Sequence, residues 1–190
     1  MKTISQYPGT FDGLLGLVKH LRGPSGCPWD REQTSGSMKR YLLEECYELL
    51  EAIEEDDRDE LIDELGDVLF HLAFQVHLGV EEGTVAVDQV FRGVIEKLTR
   101  RHPHVFGDAK ASDAREVEFS WHDIKRREQT DAEVSILDGL PVELPALSYA
   151  QSVQERAARA GFDWDDVKGV LQKVGEELEE LQNAQSPAER

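Results

Sequence analysis

Residues 40–77 read RYLLEECYELLEAIEEDDRDELIDELGDVLFHLAFQVH, and this stretch decides the fold class. Apolar side chains recur at helical spacing on both sides of a charged break at 56–59. We predict helices over residues 40–55 and 59–77 that pair as an antiparallel hairpin, because so short a break favours that arrangement. The apolar stripes are Leu42, Cys46, Leu49, Leu50 and Ile53 in the first helix, and Ile62, Leu65, Leu69 and Leu72 in the second.

The same spacing predicts further helices over residues 11–21, 87–101 and 114–127, and no stretch alternates long enough to be a strand. The chain is therefore predicted to be all-α. Residues 68–76 are apolar nearly all round, which predicts a buried helix. That much apolar surface needs more cover than one small bundle offers, so we predict a homodimer with this helix near the interface.

Charge and composition exclude several classes of protein. The 190 residues carry 21 Lys+Arg and 39 Asp+Glu, a formal net charge of −18. Such a chain has an ordinary globular content of apolar residues but not the cationic surface that a nucleic-acid polymer requires. It also has no apolar run of membrane-spanning length and no signal-peptide pattern at its start. With only two cysteines, a cytoplasmic protein without a membrane partner is expected.

An internal repeat divides the chain. Residues 160–165 (AGFDWD) echo residues 25–30 (SGCPWD), and the pattern E-E-x-x-E occurs at 44–48 and again at 176–180. A Pro-containing connector separates the two copies. We predict a first module over residues 1–129, a linker over 130–146 and an incomplete second repeat over 147–190. The second copy lacks the later helices of the first, so it is either naturally short or a fragment.

Five acidic side chains flank the stripes of the hairpin, and these are Glu44, Glu45, Glu48, Glu64 and Asp67. The hairpin would bring the two groups together, where like charges are costly unless cations neutralise them. Carboxylate oxygens suit Mg²⁺ or Mn²⁺. In so acidic a chain the alternative is a solvated face. The apolar helix that follows Asp67, and the close approach that Gly66 allows, favour the metal site.

Other candidate residues have two interpretations each. Lys97 and Arg101 lie one turn apart and could bind a phosphate chain, although cations also favour helix C-termini. Trp29 falls in a predicted loop, where its indole either packs the loop down, which is favoured, or stacks on a base. His102 and His104 flank a proline, and we interpret them as part of a turn rather than as a zinc site.

Four segments together resemble the MazG family of nucleoside triphosphate pyrophosphohydrolases: 26–34 (GCPWDREQT), 43–48 (LEECYE), 64–70 (ELGDVLF) and 97–106 (KLTRRHPHVF). The resemblance runs from about residue 11 to 125 and again from about 144 to 181. The family patterns E-E-x-x-E and E-x-x-D fall on the five acids without a substitution. The resemblance implies an all-α bundle, usually an intertwined homodimer, that cleaves a nucleoside triphosphate (NTP) with Mg²⁺ between the α and β phosphates. The second repeat has no E-x-x-D, which leaves its metal site incomplete.

The resemblance also implies roles for individual residues. Its metal ligands would be Glu45, Glu48, Glu64 and Asp67. The bound metal would neutralise the triphosphate and lower the pKa of the attacking water, which Glu44 or Glu45 would orient or deprotonate. Lys97 and Arg101 would stabilise the departing pyrophosphate, and Trp29 is a further candidate for substrate binding. The implied role is housekeeping of the nucleotide pool.

Two other interpretations remain open at this point. A di-iron carboxylate bundle would need Glu-x-x-His pairs on facing helices, but Glu64 is followed by Asp67 at that spacing, and the nearest histidine is His71. The second alternative is a catalytically silent helical module for dimerisation or partner binding that retains a metal site. Its acids would look the same in the sequence.

Overall fold

The structure, a computed structural model, describes residues 6–128 and 135–184. These residues form helices and no strand, which confirms the predicted all-α class. In order, the helices are α1 Phe11–Arg22, α2 Pro28–Glu32, α3 Ser35–Glu55, α4 Arg58–Glu81, α5 Val87–Arg101, α6 Pro103–Phe106, α7 Ala114–Arg127, α8 Ala146–Arg159 and α9 Val167–Asn183. Within these ranges, no helix has both the length and the apolar character needed to cross a bilayer.

The chain divides into two compact units between Trp121 and His122. The boundaries predicted for the linker, at 129/130 and 146/147, differ from this division and stay predictions. Residues 130–134 of the predicted linker and residues 185–190 of the predicted second repeat lie outside the described residues.

Two predicted helices need new bounds. α3 begins at Ser35 instead of residue 40, because Thr34 and Ser37 form a capping box in which each side chain accepts a hydrogen bond from the other residue's backbone N–H, at 3.1 and 3.0 Å. α4 continues through Gly79 to Glu81, beyond the predicted end at residue 77. The helices predicted at 87–101 and 114–127 match α5 and α7.

Two short helices replace predicted irregular segments. Trp29 and Asp30 lie in α2 rather than in a loop, with Pro28 at the first helical position where proline is tolerated. The segment after His102 forms α6 instead of a plain turn, again with a proline, Pro103, in its first turn. A helix of so few residues offers too few repeats for periodicity to reveal it.

The core of the first unit lies between α1, α3 and α4. α3 and α4 pair as the predicted antiparallel hairpin, with only Asp56 and Asp57 between them, and α1 packs across α4. The fully buried cluster comprises Val18, Met38, Ala73, Phe74 and Leu78. α5 packs mainly on α6, and the ring of Phe91 in α5 meets that of Phe11 in α1 edge to face at 5.4 Å.

The interpretation of α4 as buried all round is wrong for the single chain. Ala73 and Phe74 are buried, but Leu69 and Leu72 on the same helix are both 43% exposed. The predicted stripe continues at Leu65 and Ile62, which are also exposed. Periodicity identifies an apolar face but not what covers it, and here α1 and α3 cover a different face of α4.

Arg22 ties three helices together. Its guanidinium donates to the backbone carbonyls of Asp30 and Gln33, pairs with Glu81 at 2.8 Å and lies 5.4 Å from the centre of the Phe74 ring. Only 10% of the Arg22 side chain is exposed. The contacts hold α2, and with it Trp29, on α1, and they tie α1 to the C-terminal half of α4.

The second unit contains α8 and α9. Arg156 of α8 donates to the carbonyls of Ile136 and Asp138, which holds the preceding turn. Asp166 caps α9 by accepting from the backbone N–H groups of the first turn. The apolar stripe of α9 is exposed at Val167, Val170, Leu171, Val174, Leu178 and Leu181.

Candidate metal centre

Three of the predicted acids meet where α3 passes α4. Glu45 and Glu48 lie one turn apart on α3 and face Glu64 of α4, and one carboxylate oxygen from each lies within 4.8 Å of the others. The hairpin causes this approach because Glu48 and Glu64 lie at similar distances along the chain from its connection. This is the one group of three candidate ligands among the described residues.

The carboxylates of this cluster repel one another, because too little positive charge lies near them to offset their own. Burial, together with the charges of Asp67, Glu48 and Glu64, raises the pKa of Glu45. Burial and the charges of Glu48 and Asp67 likewise raise the pKa of Glu64. One oxygen of Glu64, Oε2, is buried and has no hydrogen-bond partner. A divalent cation would satisfy that oxygen and offset the repulsion, so the residues present fit such an ion.

The other two predicted acids lie at the edge of the cluster. Asp67 is exposed and outside the group of three, but it is close enough for its charge to raise the pKa of both Glu45 and Glu64. Glu44 is also exposed, and its carboxylate pairs with Arg40 one turn earlier at 3.4 Å. The structure thus gathers Glu45, Glu48 and Glu64 directly, with Asp67 adjacent and Glu44 turned to another partner.

Aromatic side chains connect Trp29 to the acids. The Trp29 indole, 48% exposed, meets the ring of Tyr41 edge to face at 5.7 Å. Tyr41 in turn lies parallel to the imidazole of His71, with ring centres 6.4 Å apart. His71 Nε2 lies 3.6 Å from Glu45 Oε1. Trp29 therefore packs, as favoured from the sequence, while part of it stays accessible beside the candidate site.

Tyr41 had no predicted role, and the burial of His71 agrees with the prediction that residues 68–76 are buried, although its contacts with Tyr41 and Glu45 were not predicted. His71 is 7% exposed, burial lowers the pKa of its ring, and its Nδ1 has no hydrogen-bond partner. The spacing of His71 from Asp67 on one helical flank was the available signal, since both then face α3. Tyr41 could have been noted as the residue one turn before Glu45 on the same helix.

The predicted phosphate-binding cations lie on a different helix pair. Lys97 and Arg101 belong to α5, which packs mainly on α6, whereas α3 and α4 pack mainly on each other and on α1. Lys97 is exposed. The Arg101 guanidinium lies 5.4 Å from the centre of the Trp121 ring, a cation–π contact that joins α5 to α7.

The two histidines after α5, His102 and His104, lie at the contact between α5 and α7. His102 Nδ1 lies 2.6 Å from the carbonyl oxygen of Leu98, and its ring meets that of Trp121 at 5.0 Å. The ring centres of His102 and His104 are 5.5 Å apart. Neither belongs to a group of three candidate metal ligands in the described part of the chain.

An all-α hairpin that brings carboxylates from two helices together is the arrangement that the resemblance to the helical NTP pyrophosphohydrolases implies. Comparison with known proteins specifies the family. The sequence profile of the MazG nucleotide pyrophosphohydrolase domain matches residues 33–106, which include the whole α3–α4 hairpin. The chain belongs to the MazG family, and the predicted family and enzyme class are confirmed.

Individual relatives match most of the chain. The nucleoside triphosphate pyrophosphohydrolase/pyrophosphatase MazG of Thermotoga maritima is 45% identical over 179 residues, which cover 94% of this chain and 69% of that protein. The nucleoside triphosphate pyrophosphohydrolase of Escherichia coli K12 is 45% identical over 172 residues, 90% of this chain and 65% of the relative. The chain thus spans about two thirds of the length of these two proteins.

Proposed function

We propose that this chain hydrolyses NTPs to nucleoside monophosphate and pyrophosphate at the acidic cluster of α3 and α4. The observation that carries the proposal is the approach of Glu45, Glu48 and Glu64 from two helices to within 4.8 Å, with one Glu64 oxygen buried and unpartnered. The names of the two relatives with 45% identity support the same reaction.

We assign Mg²⁺, with Mn²⁺ as a substitute, to ligands Glu45, Glu48, Glu64 and Asp67. The donors are all carboxylate oxygens, which these hard cations prefer over softer metals. Asp67 lies outside the group of three, and we include it because its charge raises the pKa of both Glu45 and Glu64, which places it near the cluster. A bound cation would offset the charge of the carboxylates and of the triphosphate, which a chain of net charge −18 otherwise repels.

The protein's own side chains account for the proton in this scheme. Water attacks the α-phosphorus, the bond from that phosphorus to the α–β bridging oxygen breaks, and pyrophosphate leaves with the bonding electrons. A carboxylate accepts the water proton. Glu44 is the favoured acceptor because Glu45 is engaged with the other acids, whereas Glu44 is exposed and its contact with Arg40 is a surface ion pair. Glu45 is the second candidate.

We assign the rest of the substrate to residues outside the acidic cluster. Lys97 and Arg101 would bind the phosphates that leave, since an ammonium and a guanidinium one turn apart can contact neighbouring phosphate oxygens. Trp29 would contact the base with its accessible face. A housekeeping role in the cytoplasmic nucleotide pool is proposed with this activity, and the free thiols of Cys27 and Cys46 are compatible with a reducing compartment.

We propose that the chain forms a homodimer through the open face of α4. Ile62, Leu65, Leu69 and Leu72 are each between 43% and 58% exposed, and a second copy would cover them. Light scattering should give twice the monomer mass at micromolar concentration. A concentration-independent monomer of 21.5 kDa would contradict the proposal.

We further propose that catalysis belongs to residues 1–129 and that residues 147–190 form an incomplete repeat without a catalytic metal. The acids of α9 come from one helix, and one helix cannot surround an octahedral ion. Lys173 moreover pairs with Glu176 at 2.8 Å and with Glu177 at 3.0 Å.

Product analysis in ¹⁸O-labelled water tests the activity. The full chain is incubated with each common NTP and Mg²⁺, and the products are separated by ion exchange and analysed by mass spectrometry. We expect NMP and pyrophosphate, with the label in the NMP because water attacks the α-phosphorus. Nucleoside diphosphate with orthophosphate, label in the pyrophosphate, or activity unaffected by EDTA would overturn the mechanism. Mn²⁺ binding without any turnover would instead support the silent dimerisation module.

A further inference from the structure

His71 is a buried polar side chain that the proposed reaction leaves unused. It extends from α4 into the hairpin, where its ring stacks on Tyr41 and meets the edge of Phe70 at 5.6 Å. These two rings fix the plane of the imidazole. The fixed ring directs Nε2 towards the Glu45 carboxylate, at 3.6 Å from Oε1, and leaves Nδ1 buried without a partner.

The two nitrogens differ in what surrounds them, and this difference selects a tautomer. A carboxylate oxygen can only accept, so a proton on Nε2 has an acceptor beside it. A proton on Nδ1 would be a buried donor with no acceptor, which is costlier than a bare lone pair in the same place. The neutral ring therefore carries its proton on Nε2. The separation of 3.6 Å is longer than a hydrogen bond, and a small movement of the Glu45 side chain closes it.

We infer that His71 is a positioning residue for Glu45: its Nε2–H holds one oxygen of the carboxylate so that the other is directed at the cation. Metal ligands are commonly oriented by such outer contacts, whose loss weakens metal affinity without removing a ligand. The inference rests on the proposed function only in taking Glu45 as a metal ligand. It concerns cation affinity, so it can be measured without turnover.

Three substitutions separate hydrogen bonding from packing. His71→Gln puts an amide nitrogen close to the position of Nε2, His71→Asn puts one close to the position of Nδ1, and His71→Leu keeps apolar bulk without a donor. Mn²⁺ binding to each full-length chain is measured by titration with electron paramagnetic resonance, and metal-free thermal unfolding is recorded alongside.

We expect His71→Gln to bind Mn²⁺ nearly as well as the wild type, and His71→Asn and His71→Leu to bind it about 10- to 100-fold more weakly. Turnover of the two weak variants should recover at high metal concentration, with the KM for NTP little changed. Wild-type affinity in His71→Leu would overturn the inference, as would equal weakening in all three variants, since packing would then explain the effect.

A second measurement needs no substitution. The ¹⁵N chemical shifts of the His71 ring in the metal-free wild type distinguish a protonated from a bare nitrogen, and we expect the proton on Nε2. A proton on Nδ1 would overturn the inference even if the variants fail to fold. Failure of the proposed function is distinguishable, because a chain without NTP turnover would still show the dependence of Mn²⁺ affinity on His71.

Discussion

The chain carries the pattern E-E-x-x-E twice, in α3 and in α9, and the two copies have opposite surroundings. In α3, Glu45 and Glu48 face Glu64 of a second helix, and burial and neighbouring carboxylates raise the pKa of Glu45. In α9, Lys173 lies one turn before the pattern and pairs with both Glu176 and Glu177. The resulting hydrogen bonds raise the pKa of Lys173.

The difference shows that the motif alone does not make a metal site. In α9 the acids are exposed to solvent, and a lysine one turn away offsets part of their charge at small energetic gain. A hairpin forces acids from two helices together, and an external cation must then neutralise them. On the proposed assignment, the facing helix rather than the pattern E-E-x-x-E determines where the cation binds.

The strongest test of this comparison removes a ligand from the hairpin. Glu45→Ala, Glu48→Ala, Glu64→Ala and Asp67→Ala should each lower kcat by about 100- to 1,000-fold, because the cation supplies several kcal/mol of transition-state stabilisation. Steady-state kinetics at saturating Mg²⁺ measure the loss. Glu51→Ala, an exposed glutamate of the same helix, is the control. Full activity in all four variants would contradict the proposal that the α3–α4 hairpin is catalytic.

The cationic side chains of α5 should contribute to NTP binding, whereas Lys173 of α9 should not. Lys97→Ala and Arg101→Ala should raise the KM for NTP about tenfold, the effect of losing a charge-assisted hydrogen bond to phosphate. The inhibition constant of a nucleoside without the phosphate tail should change less. Lys173→Ala is the matched control and should leave both constants unchanged. Equal weakening of both ligands in the α5 variants would indicate a structural role at the helix end.

Acid-to-amide changes at the two ends of α4 test the electrostatic cause. Without metal, Glu64→Gln should leave the thermal stability unchanged or raise it, because the change relieves like-charge repulsion. Glu81→Gln should lower the free energy of unfolding by about 0.5–1 kcal/mol, because Glu81 pairs with Arg22. This is the range typical of ion pairs at the surface, and Glu81 is 40% exposed. Thermal unfolding of the metal-free chains measures both. A clear loss of stability in Glu64→Gln would mean that this acid is a structural hydrogen-bond partner.

The stability changes caused by Glu64→Gln and by Glu81→Gln should depend on pH with opposite sign. The hydrogen bond from Arg22 holds the pKa of Glu81 below 4.5, so its contribution is present above that pH and lost as the pH falls through the lower, folded-state value. The pKa of Glu64 is raised above 4.5, so the gain from Glu64→Gln should be absent in acid and grow as the pH rises. Parallel curves for the two variants would contradict this assignment.

The smallest effect is expected in α9. Glu176→Ala combined with Glu177→Ala should leave kcat within experimental error, since Lys173 pairs with both acids and neither belongs to a group of three candidate metal ligands in the described residues. A large loss of turnover would show that the second repeat joins the active site and that the first repeat does not act alone.

The sequence predicts the helices well where an apolar stripe is long, as in α5 and α7. Apolar periodicity does not locate a helix that is very short, or a helix start that is set by capping residues. The capping box of Thr34 and Ser37 starts α3 before its apolar stripe begins, and α2 and α6 are too short for a period. Capping residues could have corrected the first boundary, because serine and threonine at this spacing are typical of helix starts.

The acidic cluster was predictable because helical spacing and a short connection bring the two groups of acids together. The surroundings of the cluster were not, since they depend on contacts between distant segments. Arg22 fixes α2 through backbone carbonyls, which have no sequence signature, and the exposure of Leu69 and Leu72 depends on how α1 and α3 pack. Helical spacing put His71 on the flank of Asp67, but its contact with Glu45 could not be predicted from that spacing.

The short connection between α3 and α4 has a consequence for folding kinetics. Asp57 caps α4 and Asp56 adopts a left-handed conformation, so the chain reverses within these two residues. Closing so short a loop costs little entropy, and contacts that are local in sequence form fast. We expect this hairpin to form before α1 docks, so that the acids meet early. Their repulsion then opposes the first step of folding, and salt, by screening it, should speed the folding of this chain.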